Sequence, residues 1–173
     1  MVRVLYRRAE TADLLGMARI RALEWGEPEY WQCRIVNYLY GEQNPREALA
    51  SRIAYVAVEE NAVIGFIAGH LTRRYSCGGE LQWINVIPEK RGSGVASELL
   101  RLLAGWFAEQ GALKICVDVE PSNTVARAFY MRHGAEELNP HWMVWNDIQR
   151  SEHIESSRYK FYPGTIDKTI IPG

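Results

Sequence analysis

The residues best placed for chemistry form a glycine-rich turn, Arg91-Gly92-Ser93-Gly94-Val95-Ala96, between a predicted strand and a predicted helix. The apolar run before the turn stops at Pro88, and the sequence from Ser97 onward is strongly helical. A turn that opens a helix directs several unpaired backbone N–H groups at one point, where the helix dipole adds partial positive charge. Glycines let a ligand approach the backbone closely. The turn therefore predicts a site for a phosphate or pyrophosphate group.

Two common phosphate-binding motifs differ from this turn in their spacing. A P-loop requires Lys and then Ser or Thr after its last glycine, whereas two apolar residues follow Gly94. The dinucleotide-binding fingerprint requires a small third residue where this chain has Ser97, and an acidic residue about 20 positions farther on. Because Asp118 and Glu120 lie near that distance, the dinucleotide alternative is weakened but stays open.

Two pairs of segments together carry a family resemblance. Val86-Ile87-Pro88, followed by Arg91 to Ala96, resembles motif A (Gln/Arg-x-x-Gly-x-Gly/Ala after a strand) of the GNAT superfamily of acyl-CoA N-acetyltransferases. The segment from Asn123 to Tyr130, followed by His133-Gly134-Ala135, resembles motif B of the same family, although Ala135 replaces the usual aromatic residue. The two motifs occur in the family's order, and the resemblance covers about residues 56–145.

The resemblance implies that the turn binds the pyrophosphate of acetyl-CoA, the co-substrate, and that no metal takes part. The implied carrier-binding residues are Val86, Ile87, Arg91, Gly92, Ser93, Gly94, Val95, Ala96 and Asn123. Asn123 is expected to contact the pantetheine arm, but it can equally be a helix N-cap. Tyr130 is the implied general acid that reprotonates the leaving CoA thiolate, and the alternative is a packed aromatic residue beside Phe129. A backbone N–H near Val86 is a candidate oxyanion donor.

Acetyl transfer to an amine also requires a base. An alkylammonium has a pKa near 10.4, so at neutral pH only about one molecule in a thousand is the free base. The resemblance implies that Glu80, at the start of the strand before the turn, takes the proton through water. The alternative is a solvated charge at a strand end. Simple alternation places Glu80 on the same side of the strand as Gln82, Ile84 and Val86, but the resemblance implies a bulge in this strand, which would change the parity beyond it.

Aromatic and acidic residues are dense in the region before residue 41. We expect four of them to line a pocket for a cationic amine, and these are Glu24, Trp25, Tyr30 and Trp31. An equally simple interpretation assigns the aromatic side chains to a helix core and the acids to solvated helix starts.

Composition limits the remaining possibilities. The chain has 173 residues, 24% of them charged, which is typical of about one globular domain. A formal net charge of -1 gives no reason to expect nucleic acid or an anionic membrane as partner. The three cysteines have no metal-ligand spacing, no apolar signal core is present at the N-terminus, and no apolar run is long enough to cross a membrane. These features predict a cytoplasmic protein.

The helices and strands that position these residues are predicted from the hydrophobic periodicity of the sequence and from the glycine and proline residues that separate the periodic segments. Patterns predict a strand–helix–helix start, two strands joined as a hairpin, the strand before the glycine turn, and then alternating helices and strands. The later helices are predicted at Pro28–Tyr40, Ser93–Gln110 and Thr124–Arg132. The order βααβββαβαβ is what the resemblance implies: a mixed α/β sheet that splays open between the motif A strand and the next one. We expect residues 1–150 to form this domain and residues 151–173 to be an extension that docks on it or exchanges within a possible homodimer.

The expected function is transfer of an acetyl group from acetyl-CoA to a primary amine of a small molecule or peptide, by direct attack in a ternary complex. No cysteine lies where a covalent acyl-enzyme would need one. The alternative from another class is a CoA-binding regulatory or scaffold domain without turnover.

Overall fold

A computed structural model of the chain describes residues 2–41 and 50–153, without the side chains of 151–153. It contains a seven-stranded sheet in the order β1-β2-β3-β4-β5-β7-β6. The strands are β1 Leu5–Arg8, β2 Arg52–Glu59, β3 Ala62–Leu71, β4 Gly79–Val86, β5 Ile115–Asp118, β6 Glu136–Asn139 and β7 Trp142–Trp145. Only β4 and β5 pair in parallel, and the other neighbours are antiparallel. The predicted mixed α/β sheet is therefore confirmed.

Helices cover both faces of this sheet. They are α1 Leu14–Ala22, α2 Pro28–Tyr40, α3 Val95–Glu109 and α4 Thr124–Arg132. The residues of α1 and α2 pack with one side of the sheet, around Trp31, Phe66 and Trp83. The buried residues of α3 and Tyr130 of α4 pack on the other side, in a larger core that includes Leu81 and Val86. Because β4 contributes to both clusters, it forms a wall on each side of the sheet.

The sheet opens between β4 and β5, as expected. Their parallel pairing joins only Gly79–Leu81 to Ile115–Val117, so the rest of β4 has no partner on that edge. The closed end is tight, because a Cβ atom at Gly79 would lie 2.3 Å from Phe107 Cε1. The small residue at this position therefore lets α3 approach the sheet where the two strands are still paired.

A β-bulge corrects the predicted parity of β4. Ala68 pairs with Trp83 and Gly69 pairs with Leu81, so Gln82 is an extra residue without an opposite partner. Glu80 therefore shares its side of the sheet with Trp83 and Asn85, toward α1 and α2. The extra residue breaks the alternation that would place Glu80 with Gln82, Ile84 and Val86, and a bulge in this strand is what the family resemblance implied.

The final hairpin also differs from the prediction. Glu136–Asn139 form an additional edge strand, β6, which pairs antiparallel with β7. The segment Glu-Glu-Leu-Asn has no alternation of apolar and polar residues, so its residue types do not predict a strand. The observed order is βααβββαβαββ. The predicted extension, residues 151–173, lies outside the described residues except for 151–153, which end a 3-10 turn.

Candidate active site

The glycine turn before α3 has the features that a pyrophosphate site needs. Gly92 and Gly94 have φ angles of 74° and 87°, in the left-handed region that favours glycine. A Cβ atom at either position would meet nothing within 4 Å, so the turn faces open space. No side chain caps the first turn of α3, which leaves its leading N–H groups unused by a cap. The residues present therefore fit an anionic group at this point.

Side chains hold the turn in place. Arg91 Nε donates a hydrogen bond to the Val86 carbonyl oxygen over 3.2 Å, and Ser93 Oγ donates to the Lys90 carbonyl oxygen over 2.5 Å. Lys90 Nζ in turn lies 2.5 Å from Glu59 Oε2 on β2. The Arg91 guanidinium is thus tethered at the end of β4, next to the glycines.

Backbone direction identifies a donor that faces the opening between β4 and β5. The Ile87 N–H donates to the Ile64 carbonyl oxygen of the β3 side over 2.9 Å. Successive N–H groups of a strand point to opposite edges, so the Val86 N–H points toward β5. Since the pairing of β4 with β5 ends at Leu81, this N–H faces the gap.

Tyr130 lies on α4, the helix that follows β5, packs in the same core as Val86 and Val95, and is only 5% exposed. Its ring packs edge-on against Trp145, with centroids 5.5 Å apart, and also against Phe129. Burial raises the pKa of the Tyr130 hydroxyl; the charge of Glu24 raises the pKa further, and the charge of Arg21 opposes both effects. The hydroxyl therefore stays protonated at neutral pH, which is the state a general acid needs.

Asn123 is the N-cap of α4. Its Oδ1 accepts a hydrogen bond from the Ala126 N–H over 3.1 Å. The capping role is therefore present in the structure, and a contact of Asn123 with the pantetheine arm stays a prediction.

Glu80 lies in a polar network on the α2 side of β4. It is 7% exposed, and its Oε2 is 3.3 Å from Arg74 Nε and 3.6 Å from His70 Nε2. The other ring nitrogen of His70, Nδ1, lies 2.9 Å from the hydroxyl of Tyr38. Burial raises the pKa of Tyr38 despite the nearby positive charge of Arg52, so this hydroxyl is protonated and can donate to His70. Glu80 is thus held by other side chains and is not the solvated strand-end charge of the alternative interpretation.

A second polar cluster joins the end of α1 to β4. Asn85 Nδ2 donates to Glu24 Oε1 over 2.8 Å, and Arg21 Nη1 donates to Glu24 Oε2 and to Asn85 Oδ1 over 3.1 and 3.2 Å. Sequence reasoning missed Arg21 and Asn85, because Asn85 is more than 60 positions from both Arg21 and Glu24 in the chain. The bulge that turns Asn85 toward α1 has no signature in the residue types.

The predicted aromatic residues form one group beside this cluster. The rings of Trp25, Tyr30 and Trp31 pack against each other with centroids 4.8 to 5.5 Å apart. Trp25 and Tyr30 are 56% and 45% exposed, whereas Trp31 is 3% exposed and donates from Nε1 to the Trp25 carbonyl oxygen. The structure therefore gives Trp31 a supporting position and leaves Trp25 and Tyr30 accessible.

A comparison with protein families decides the class of the chain. The family model described as "Acetyltransferase (GNAT) family" matches residues 16–135, which is more than half of the sequence. The chain belongs to the GNAT acetyltransferase family. This assignment replaces the dinucleotide-binding alternative.

Curated relatives and solved structures agree with the GNAT assignment. The aminoglycoside N(6')-acetyltransferase type 1 of Salmonella typhimurium is 27% identical over 90 residues, which cover 49% of this chain and 62% of that protein. The chain therefore matches about three fifths of the length of these curated relatives.

Among solved structures, PaiA N-acetyltransferase of Thermoplasma acidophilum, in complex with coenzyme A, has a TM-score of 0.63 at 16% identity, covering 84% of this chain and 99% of its own. Aminoglycoside N-acetyltransferase AAC(6')-Iy, in complex with CoA, has a TM-score of 0.65 at 20% identity, covering 80% and 91%. At these identities the likeness shows the shared GNAT fold.

Cys116, on β5, is a poor candidate for a nucleophile. Cys77 and Cys116 are buried, and burial raises the pKa of the Cys116 thiol, with Cys77 and Glu80 acting in the same direction. A thiol with a raised pKa is a poor nucleophile at neutral pH. Across residues 2–41 and 50–153, no group of three or more His, Cys, Asp or Glu side chains is arranged to hold a metal ion. In the same part of the chain, no helix has both the length and the apolar character that crossing a bilayer requires.

Proposed function

We propose that the protein is an N-acetyltransferase that moves the acetyl group of acetyl-CoA to a primary amine of a small molecule or peptide, by direct attack in a ternary complex. One observation carries the proposal: the uncapped glycine turn follows β4 and the helix that bears the buried, protonated Tyr130 follows β5, and these are the two strands that separate beyond Leu81. Membership of the GNAT family supports the same reaction class.

The carrier side of the site would be made mainly of backbone. The N–H groups of residues 92–96 would hold the pyrophosphate, with the tethered guanidinium of Arg91 adding positive charge. The thioester of acetyl-CoA supplies an activated acetyl group when bound. The Val86 N–H, which faces the gap, would donate to the thioester oxygen as negative charge develops there.

Proton transfers complete the proposed reaction. The amine nitrogen forms a bond to the acetyl carbon while the bond from that carbon to sulfur breaks, so the amine loses a proton and the thiolate gains one. Glu80 would accept the amine proton through water, and Tyr130 would give its hydroxyl proton to the leaving sulfur. His70, whose Nε2 lies 3.6 Å from Glu80 Oε2 and whose Nδ1 lies 2.9 Å from the Tyr38 hydroxyl, would help to keep the carboxylate in position.

Release of CoA thiol from acetyl-CoA, measured against a panel of amines, tests the proposal. The panel should contain an aminoglycoside, because the curated relatives are named for that acceptor, together with spermidine and a short peptide with a free N-terminus. We expect amine-dependent release well above the slow background hydrolysis. Tight CoA binding without turnover of any amine would instead favour a CoA-binding regulatory or scaffold domain.

A further inference from the structure

The cluster of Arg21, Glu24 and Asn85 is not used in the reaction proposed above. Each side chain is hydrogen-bonded to both of the others, and both oxygens of the Glu24 carboxylate accept a bond from within the cluster. Such an arrangement fixes the carboxylate in one orientation, because moving it breaks bonds to α1 and to β4 together.

The two partners of Glu24 are anchored in the core. The guanidinium carbon of Arg21 lies 4.2 Å from the ring centroid of the buried Trp31, and Asn85 is 7% exposed on β4. In contrast, the Glu24 side chain is 46% exposed, against 14% for that of Arg21. A rigid base therefore presents a carboxylate to solvent on the acceptor side of the sheet.

The hydrogen bonding of this cluster is incomplete. Among the described residues, Arg21 Nε is the buried side-chain nitrogen or oxygen atom that lacks a hydrogen-bond partner. Folded proteins satisfy most buried polar groups, so an unpartnered one calls for an explanation, such as a water molecule, an ion or a functional role. The Nε atom of Arg21 is thus a polar group of the cluster that is not used in joining α1 to β4.

The surroundings of Glu24 favour a cation. The accessible rings of Trp25 and Tyr30 follow it in the chain, and aromatic faces attract ammonium groups. Asn85 lies on the part of β4 that no longer pairs with β5, which places the cluster at the gap. Glu80 lies on the same face of β4; it pairs with His70 and Asn85 pairs with Phe66, four residues apart on β3, so the two positions are about 13 Å apart along the sheet. Glu24 and Glu80 are thus two separate carboxylates on the side of the sheet where the acceptor would bind.

We propose that Arg21 and Asn85 are positioning residues, and that the Glu24 carboxylate they hold binds a second, non-reacting ammonium group of the acceptor. The inference rests on the proposed acetyltransferase function. The reacting nitrogen must lose its positive charge before it attacks, so a carboxylate that holds the acceptor throughout the reaction needs a different ammonium group. The acceptor class is then a small molecule with at least two amino groups.

A pair of acceptors of equal length separates this role from others. The substrates are 1,6-diaminohexane and hexylamine, and the measured quantities are KM and kcat for each. We expect the diamine to have the lower KM. Glu24→Gln should raise the KM of the diamine about tenfold and change that of hexylamine by less than about twofold, because one charge-assisted hydrogen bond is lost. The kcat for both amines should be largely kept.

Control variants separate docking from general disruption. Glu29→Gln removes an exposed carboxylate from the first turn of α2, outside the cluster, and should leave both KM values unchanged. Arg21→Lys and Asn85→Ala should raise the diamine KM selectively while CoA affinity is kept, and Glu24→Asp should restore part of the selectivity. Equal effects of Glu24→Gln on both amines, or none on either, would overturn the docking role.

Binding without turnover distinguishes failure of this inference from failure of the proposed function. Spermidine is titrated calorimetrically into the CoA-bound protein and into its Glu24→Gln variant. Spermidine binding that depends on Glu24, in a protein that acetylates no amine, would retain the docking site and reject the enzyme. Turnover of amines without any dependence on Glu24 would retain the enzyme and reject the docking site.

Discussion

Replacement of Tyr130 by Phe removes one oxygen atom and keeps the ring. The contacts of the ring with Trp145 and Phe129 are made by carbon atoms, so we expect the stability of the fold to change by no more than about 1 kcal/mol. The hydroxyl, in contrast, would be the proton source for the leaving thiolate. Loss of a general acid typically costs about a hundredfold or more in rate, or at least about 2.7 kcal/mol of transition-state stabilisation.

The assay is CoA thiol release by the Tyr130→Phe variant at saturating amine, together with direct measurement of CoA affinity. We expect kcat to fall about a hundredfold while the CoA dissociation constant changes by less than about threefold, since the carrier site is built mainly from the glycine turn. Tyr55→Phe is the matched control, because Tyr55 is another buried tyrosine but lies on β2, away from the gap. An unchanged kcat in the Tyr130 variant would refute the acid role.

The pH profile gives a second test of the same group. The pKa of Tyr130 is raised by burial first and by Glu24 second, so the acid stays protonated beyond the ordinary tyrosine value of about 10. The amine, in contrast, must lose its proton, so the rate should rise as pH increases. We therefore expect kcat/KM to rise through pH 7 to 9 with no fall from Tyr130 below about pH 10. A falling limb near pH 8 that disappears in Tyr130→Phe would contradict the raised pKa.

Three further substitutions address the other parts of the site. Gly94→Ala should weaken CoA binding about tenfold or more, because a Cβ enters the open cradle; Gly111→Ala, which also has a positive φ and open space, is the control and should keep CoA affinity. Glu80→Gln should lower kcat about a hundredfold at neutral pH if it is the base, and an unaffected rate would point to another proton acceptor. Asn123→Ala should cost about 1 kcal/mol in thermal or denaturant unfolding through loss of the α4 cap, whereas Asn123→Ser should keep most of it.

The parts of the fold that the sequence predicted well carry local signals. The bounds of α2 and α4 agree with prediction because Pro28 opens the first and Asn123 caps the second, and each signal acts within its own turn. The glycine turn could be predicted for the same reason, since the proposed pyrophosphate site is made from the backbone of consecutive residues. The splay between β4 and β5 came from the family resemblance and was confirmed.

What the sequence could not predict depends on distant pairing. The edge strand β6 has no apolar alternation and exists because β7 lies beside it. The bulge at Gln82 is set by the register of β4 on β3, and it decides that Asn85 faces α1. Without that register, Arg21 and Glu24 are only two charged residues near the end of a helix. Residue types alone cannot show that they share a partner on a central strand.

The bulge also separates the two halves of the site physically. Beyond Gln82, the Asn85 side chain lies on the side of the sheet that α1 and α2 cover. The Val86 N–H faces the gap, and the Val86 carbonyl oxygen accepts a hydrogen bond from Arg91 beside the glycine turn. Side chains on one face of β4 can therefore change without moving the backbone groups that serve the carrier. If the proposed roles hold, the acceptor could change through Arg21, Glu24 and Asn85 while the proposed CoA site is kept. This separation is a physical reason why the candidate CoA-binding site could be predicted from a motif, whereas the candidate acceptor-binding site had to be inferred from contacts between distant residues.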